Sequence, residues 1–430
     1  MIFFGEYLSF IEVKTCVIEP DYIDKDYLID YSKFYARSFE DFSRKTDRLH
    51  FFSLQFDQSK FYSALEMNDE KFLEALKESY LGFIVRKPIK DQLGHRLIGR
   101  TLLATYPKND PSTGEERVYL KNEHQVSLFG TDLEIESLPF QQKDLGVCAC
   151  ATVTCWSSLF PLMNLFGIPT LSPFEITERS TVLPTDARNF PSEGLTLFQM
   201  KEYYSSMGLE AEFIDPHATI PGEDIEKPDI VADVVRAYIE LGLPVIAALN
   251  VEEESENIDY HAALITGYRH KHGEIKEIYI HDDNIGPYHH IRPNDAGRFY
   301  SWTETMPDGS SLNFKVCRLV VPIYPKIRLS FTRIYDIYLH YRRQSKIQIQ
   351  SGNIPKDSRT ELFLTNIRRY KKDLLRYNFD KKIDRILDPA PRFLWVIRIQ
   401  SKGVPIFDYI HDGTSVICDP KRTKDIHFKP

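Results

Sequence analysis

The chain has 430 residues, of which 42% are hydrophobic, and its 54 basic and 62 acidic side chains give a net charge of −8. This composition can build large cores, which excludes disorder as the main state, and the charge argues against nucleic acid or an anionic membrane as the dominant partner. No apolar run approaches the roughly 18 residues of a membrane-spanning helix, and residues 1–8 lack the pattern of a secretory signal. We therefore expect a cytoplasmic protein with no membrane partner.

Residues 1–138 have the pattern of an N-terminal α+β unit. Aromatic and apolar side chains recur at helical spacing over residues 26–39 and 69–80. From residue 81 onwards the pattern changes to stretches of β-branched and aromatic residues separated by turn clusters, which is typical of strands. The last of these predicted strands covers residues 124–138. No function is predicted for this unit.

Residues 139–325 show helix signals first and strand signals later, which is the order of an α+β domain rather than of repeated βαβ units. Residues 148–166 predict a helix that Pro161 must kink or split. Ser172 and Thr196 mark two further helix starts, because each is a capping residue placed before a helical pattern. A helix over residues 229–241 follows, and then three predicted strands over residues 244–250, 261–268 and 277–282.

Residues 326–430 form the third predicted unit, which differs in charge. Residues 326–386 contain 16 Lys and Arg against 6 Asp and Glu, a local charge of +10, so the rest of the chain carries −18. Residues 367–377 predict an amphipathic helix with Arg368, Arg369, Lys371 and Lys372 on its polar side. This basic side is either a solvated face or a docking surface for an acidic partner. Residues 392–409 predict a terminal hairpin.

A cysteine stands where a polar loop meets the apolar helix of the middle unit. At a helix N-terminus, the macrodipole and the free amide N–H groups favour the thiolate of Cys148 over its thiol. Gln142, six residues earlier, supplies a side-chain amide for a developing oxyanion, because Gly146 lets the loop fold back closely. Gln141 is the alternative amide. Cys150 and Cys155 are expected to be core residues.

A thiolate nucleophile also needs a base and a group that orients the base. His261 stands at the mouth of an apolar strand, and the next strand ends in Asp282 and Asp283, so adjacent strands would bring these side chains together. Strand alternation favours Asp282 as the orienting carboxylate, with Asp283 as the alternate and Asn284 as a third candidate. The other histidines nearby are expected in solvated loops rather than on a metal: His270, His272, His281, His289 and His290.

The order Gln, Cys, His, Asp on a helix-then-sheet domain resembles the papain-like cysteine peptidases, and most nearly their bacterial branch that removes leader peptides from bacteriocins. The resemblance covers about residues 138–288. It implies a papain-like fold in which Gln142 is the oxyanion donor, Cys148 the nucleophile, His261 the general base and acid, and Asp282 the orienting carboxylate. The family's Asp-Cys-Gly and Cys-Gly-Ser-Cys-Trp contexts are absent, since Ala149 follows Cys148.

The resulting expectation is a thiol hydrolase that cleaves a peptide or isopeptide amide through an acyl-enzyme. Its partner would be a protein or peptide substrate, an acidic one if the basic segment binds it. No cofactor is expected, and no metal, because the clustered cysteines are not joined by a second cysteine pair with Cys-x2-Cys spacing. Two alternatives stay open. The same residues could pass the acyl group to an amine, as transglutaminase-like enzymes do, or the domain could be a degenerate peptidase fold that only binds.

Overall fold

The computed structural model describes residues 2–91, 94–110, 113–144, 146–147, 149–181, 194–217, 229–252, 258–305, 309–418 and 424–429. Within these ranges the fold is mixed α+β, as expected. The helices are α1 (Ile2–Phe10), α2 (Lys25–Lys33), α3 (Gln58–Met67), α4 (Glu70–Glu78), α5 (Cys150–Phe166), α6 (Pro173–Ser180), α7 (Leu197–Ser206), α8 (Ile230–Ile239), α9 (Phe331–Gln350), α10 (Ile367–Leu374) and α11 (Lys382–Leu387). None of the helices in these ranges combines the length and apolar character needed to cross a bilayer.

The strands form two four-stranded sheets, one large sheet and one separate hairpin. They are β1 (Thr15–Tyr22), β2 (Thr46–Phe52), β3 (Tyr80–Lys90), β4 (Arg96–Leu103), β5 (Asn109–Asp110), β6 (Glu115–Tyr119), β7 (Asn122–Leu128), β8 (Thr131–Ser137), β9 (Glu210–Ile214), β10 (Val245–Glu252), β11 (Ile258–Lys271), β12 (Glu274–Asp282), β13 (Gly286–Ile291), β14 (Ser301–Thr305), β15 (Ser311–Ile323), β16 (Ser358–Asn366), β17 (Phe393–Ser401), β18 (Val404–Asp412) and β19 (Lys424–His427).

The N-terminal part is built on an antiparallel sheet in the order β1-β2-β3-β4, with α3 and α4 covering a core of its own. The predicted single strand over residues 124–138 is wrong, because β7 and β8 form a hairpin that turns at Phe129 and Gly130. Both turn residues have positive φ, which glycine adopts freely and which a two-residue hairpin turn of this kind requires. Strands β1 and β2 were not predicted.

The middle part contains a nine-stranded antiparallel sheet whose main path is β13-β12-β11-β10-β15-β14. Strand β6 pairs with β11, and β9 pairs with β15. Helix α5 packs across this sheet, and Pro161 lies inside it without splitting it. The predicted helix starts are confirmed: Ser172 and Thr196 form capping boxes, and Asp229 caps α8.

The C-terminal part is a four-stranded sheet in the order β16-β17-β18-β19, which contains the predicted hairpin as β17 and β18. The basic amphipathic helix is confirmed as α10, in which Tyr370 and Leu374 are buried. Helix α9, with 20 residues, was not predicted.

Contacts cross both predicted unit boundaries. Strand β6, from the N-terminal part, belongs to the large sheet through its pairing with β11. On the other side, the Trp395 ring of β17 lies 5.5 Å from the Tyr238 ring of α8. One buried apolar cluster runs from Tyr7 through the large sheet to Trp395. The three predicted units therefore share a core.

Candidate active site

A cysteine lies at the first position of α5, but it is Cys150 rather than Cys148. Ala149 is the N-cap, and the helix runs for 17 residues from Cys150, so the thiol sits at the positive end of a long helix dipole. Cys150 is partly exposed, so the expectation that it is a core residue is wrong. Cys155, one turn and a residue later, is fully buried as expected. Cys148 lies outside the described residues.

Thr154 fixes the position of Cys150 against the large sheet. Its hydroxyl lies 2.9 Å from the carbonyl oxygen of Cys150, one turn back along the helix, and 3.2 Å from the carbonyl oxygen of Ala262 on β11. Because Ala262 directly follows His261, this contact holds the start of α5 beside the histidine. The Cys150 side chain is near enough to the His261 ring to contribute to raising the pKa of His261.

His261 and Asp282 meet as predicted, because β11 and β12 are antiparallel neighbours and the end of β12 lies beside the start of β11. His261 Nε2 is 2.7 Å from Asp282 Oδ2, and both side chains are buried. Since a carboxylate only accepts hydrogen bonds, Nε2 carries the proton and Nδ1 is left as the basic nitrogen. The second oxygen, Asp282 Oδ1, accepts the backbone N–H groups of Asn284 and Ile285.

The charges of this cluster favour an imidazolium. Burial alone would lower the pKa of His261, but the Asp282 carboxylate, its hydrogen bond, the Cys150 thiol and Asp283 together raise that pKa well above its ordinary value. Burial would likewise raise the pKa of Asp282, but His261 and the two backbone N–H groups hold it below its ordinary value. A histidinium next to a thiol stabilises the thiolate, which is the nucleophilic form.

Asp283, the alternate orienting residue, lies close to His261 without forming the same bond. Its carboxylate is 3.8 Å from His261 Nε2 and 3.7 Å from Lys143 Nζ, both longer than a hydrogen bond. Burial and the neighbouring Asp282 raise the pKa of Asp283 to about 6, although His261 and Lys143 act in the opposite direction. Asp282 is therefore the carboxylate that holds the ring, and Asp283 is a second buried acid beside it.

The two glutamines ahead of the helix differ in exposure and in partners. Gln142 is bound to β4: its backbone N–H donates to the Ile98 carbonyl, and its Oε1 accepts the Ile98 N–H, both at 2.9 Å. This leaves Nε2 as its donor, on a side chain that is only half-buried. Gln141 is 2% exposed, and its Nε2 has no hydrogen-bond partner in the described ranges. An amide so deeply buried is poorly placed to meet a substrate.

The loop before α5 is shaped by the N-terminal part of the chain. Asp144 Oδ1 accepts the N–H groups of Gly146 and Val147, and its other oxygen lies 3.8 Å from Nζ of the buried Lys87 on β3. A Cβ at Gly146 would come within 2.6 Å of the Phe34 ring, so only glycine fits this close approach. The sequence predicted a close approach at Gly146, but not that Phe34 and Lys87 would be the partners of this loop.

His261, Asp282 and Asp283 are also the one group of potential metal ligands in the described ranges, with one ligand atom from each lying within 4.8 Å of the others. The 2.7 Å between His261 Nε2 and Asp282 Oδ2 is a hydrogen-bond length. Two ligands of a tetrahedral zinc ion, each about 2 Å from it, lie roughly 3.3 Å apart. The observed distance fits a proton shared by the pair better than an ion between them.

The other histidines of this region are mostly strand residues, so the expectation that they lie in solvated loops is wrong for four of the five. His281 is buried in β12 between the rings of Phe140 and Tyr288, and this burial lowers its pKa to about 3. His289 is buried on β13, 2.7 Å from Glu304, and is followed by His290 on the same strand. His270 lies on β11, and only His272 is in a turn.

No model of a known protein family matches this chain, and no curated protein sequence matches it.

Proposed function

We propose that the protein is a papain-like thiol hydrolase that cleaves an amide bond of a protein or peptide substrate, with Cys150 as nucleophile, His261 as base and acid, and Asp282 as the orienting carboxylate. The observation that carries the proposal is the 2.7 Å bond from His261 to Asp282, with Cys150 as the first residue of α5 and Thr154 holding that end of the helix to Ala262, next to His261. The sequence assigned the nucleophile to Cys148. The position of Cys150 at the start of α5, beside the strand that carries His261, is the reason to propose Cys150 for that role.

The proposed reaction assigns one role to each of these groups. His261 Nδ1 takes the proton of the Cys150 thiol, while Nε2 keeps its hydrogen bond to Asp282. The thiolate attacks the carbonyl carbon of the substrate amide and forms a tetrahedral oxyanion. The histidinium returns its proton to the leaving amine, and the C–N bond breaks to give a thioester. Water, deprotonated by His261, then attacks the thioester and releases a carboxylic acid and the free thiol.

The oxyanion needs hydrogen-bond donors that are in place before the reaction. The first turn of α5 provides backbone N–H groups that no helical carbonyl uses. Gln142 provides a side-chain N–H₂ whose carboxamide is oriented by the Ile98 N–H. Its neighbour Lys143 reaches Asp283, so the 142–143 segment runs beside the His261 cluster. We therefore keep Gln142, and not the buried Gln141, as the oxyanion donor.

The test compares two alanine variants in one assay. The wild-type chain, Cys150→Ala and Cys148→Ala are incubated with a peptide library and with denatured protein, and new termini are identified by mass spectrometry. We expect cleavage by the wild type and by Cys148→Ala but none by Cys150→Ala. Full activity in Cys150→Ala would contradict the proposal. Repeating the assay with an added primary amine separates hydrolysis from acyl transfer, since transfer would yield an amide of that amine in place of the free acid.

A further inference from the structure

A large basic cleft lies at the other end of the strand that carries His261. Its volume is about 1160 Å³, and it runs between the end of β11, the C-terminal end of α8, helix α10 and the β17–β18 turn. The charged residues that line it include Glu240, Glu361, Arg368, Lys372, Arg376 and Lys402. It is the place where the middle and C-terminal parts of the chain meet.

The arginines inside the cleft are already neutralised by carboxylates of the chain. Arg236 donates to Glu361 at 2.9 Å, and Arg398 forms a two-pronged ion pair with Asp408 at 2.7 and 2.8 Å. Both arginines are buried. Their charges are therefore used in ion pairs of the fold and are not available to bind a ligand.

The rim differs, because two of its cations, Arg368 and Lys372, take no part in the ion pairs and hydrogen bonds of the described residues. Arg368 and Lys372 are four residues apart, on one face of α10, and neither has an ion-pair or hydrogen-bond partner in the part of the chain that the structure describes. Arg376 lies just beyond the end of α10 and has only a 3.9 Å contact with Asp373. By contrast, Lys371 donates to the carbonyl of Asp388, and Arg369 donates to the carbonyl of Glu240. The unpaired charge on α10 is thus concentrated on the side that faces the cleft.

The spacing of Arg368 and Lys372 fits an extended acidic peptide. Side chains four residues apart on a helix are about 6 Å from each other, and alternate residues of an extended chain are about 6.6 Å apart on one face. Two alternate acidic side chains of such a peptide could therefore meet these two cations.

A single-stranded nucleic acid fits the same cleft less well. Such ligands bind mainly by stacking bases on exposed aromatic rings. The aromatic residues that line the cleft are Phe363, Tyr370 and Tyr377. Tyr370 is buried, and the guanidinium of Arg398 lies over the other two rings, 5.3 and 5.9 Å from their centres.

We propose that this cleft is a second binding site, which holds an acidic segment of the polypeptide substrate while the cut is made elsewhere on the same chain. This proposal rests on the proposed function, because it takes the ligand to be the substrate of the proposed hydrolase. His270, at the cleft, is nine residues further along β11 than His261, or about 30 Å at 3.3 Å per residue. The acidic segment must therefore lie about nine or more extended residues from the scissile bond.

The experiment measures binding alone, so its result does not depend on catalysis. A fluorescein-labelled ten-residue peptide of alternating Glu and Ser is titrated with the full-length protein at low salt, and anisotropy gives the Kd. The double variant Arg368→Glu/Lys372→Glu is compared with a control of equal charge change, Lys71→Glu/Lys201→Glu, which alters exposed lysines on α4 and α7. We expect the first variant to weaken binding at least about fivefold and the control less than about twofold. Binding should also weaken as salt is added.

Three results would overturn the proposal. These are no binding of the acidic peptide, equal weakening of binding by the two variants, and tighter binding of a ten-nucleotide single strand than of the peptide. The second result would mean that only overall charge matters, and the third would mean that the ligand is a nucleic acid. If the peptide binds as expected but no amide is cleaved in any assay, the proposed function fails while the acidic-peptide site remains.

Discussion

The His261 ring lies among one thiol and two carboxylates, and the two carboxylates play different parts. Asp282 has both oxygens occupied, one by the ring and one by backbone N–H groups, so its charge is fully compensated. Asp283 is equally buried but meets its two cationic neighbours only at 3.7 and 3.8 Å. A buried carboxylate without short hydrogen bonds is costly to ionise.

This difference predicts how the two aspartates affect catalysis. Asp282→Asn should lower kcat/KM at least about a hundredfold, because the amide no longer holds the imidazolium and its proton on Nε2. Asp283→Asn should stay within about threefold of the wild type. Steady-state kinetics on any peptide that the wild type cleaves provides the measurement. The reverse ranking would transfer the orienting role to Asp283.

The same difference predicts that removing the Asp283 carboxylate stabilises the folded protein. Because the pKa of Asp283 is raised to about 6 in the folded chain, against about 3.9 in an unfolded one, the folded chain loses stability as the pH rises between those values. Asp283→Asn removes this loss, so it should stabilise the protein by up to about 3 kcal/mol above pH 6 and by nothing below pH 4. Urea unfolding at pH 4 and pH 7.5 checks this. A less stable variant at pH 7.5 would mean that His261 and Lys143 already compensate the charge.

At the level of single residues, the sequence predicted the His261–Asp282 pair, whereas it assigned the nucleophile to Cys148, which lies outside the described residues. Strand alternation was sufficient for the pair, because the period of a strand is two and the register of neighbours decides which ends meet. The choice between Cys148 and Cys150 depends on where α5 begins, and helix boundaries are uncertain by one or two residues. The proposal of Cys150 draws on the bond from Thr154 to Ala262, a long-range contact that no local pattern reveals.

At the level of elements, the start of α5 is held from two sides. The large sheet holds it through Thr154, and the N-terminal part holds the loop before it through Lys87, Phe34 and α2. From α2, Asp26 accepts the indole N–H of Trp156 at 2.9 Å, and Asp30 accepts the N–H of Phe174 at 3.1 Å. The capping boxes of α6 and α7 and the amphipathic period of α10 were visible in the sequence, since they are local. The pairing of α2 with α5 and α6 was not.

Lys87 on β3 provides a test of how the N-terminal part of the chain supports the loop before α5. It is 2% exposed, and its charge acts on the buried carboxylates of both Asp144 and Asp30. Lys87→Met leaves these acids without their cation and should cost about 3 kcal/mol of unfolding free energy. Lys90→Met, at an exposed position of the same strand, is the matched control and should cost less than about 0.5 kcal/mol. Equal stability of the two variants in urea would show that the buried pair does not support the loop.

At the level of the whole molecule, the fold is more continuous than its composition indicates. The change in charge near residue 326 and the change in pattern near residue 138 are real features of the sequence. Yet β6 completes the large sheet from one side, and the Trp395 ring lies 5.5 Å from the Tyr238 ring of α8 within the common core. Composition shows where the charge and the sequence pattern change along the chain, but it does not show where one apolar core ends and another begins.

A fragment of residues 139–325 should therefore not fold by itself. It lacks β6 beside β11 and exposes the apolar face that packs against Trp395. We expect circular dichroism and thermal unfolding to show no cooperative transition, whereas the full chain unfolds cooperatively. A fragment that melts as sharply as the full chain would establish residues 139–325 as an independent domain.

The central claim is that Cys150 is paired with His261, and thiol labelling tests it most directly. The protein is treated with less than one equivalent of iodoacetamide at pH 7, and the modified cysteine is located by peptide mass mapping. We expect Cys150 to react at least about tenfold faster than the exposed Cys16, and His261→Ala to abolish this preference. Faster labelling of Cys148, or a Cys150 that reacts no faster than Cys16, would contradict the account.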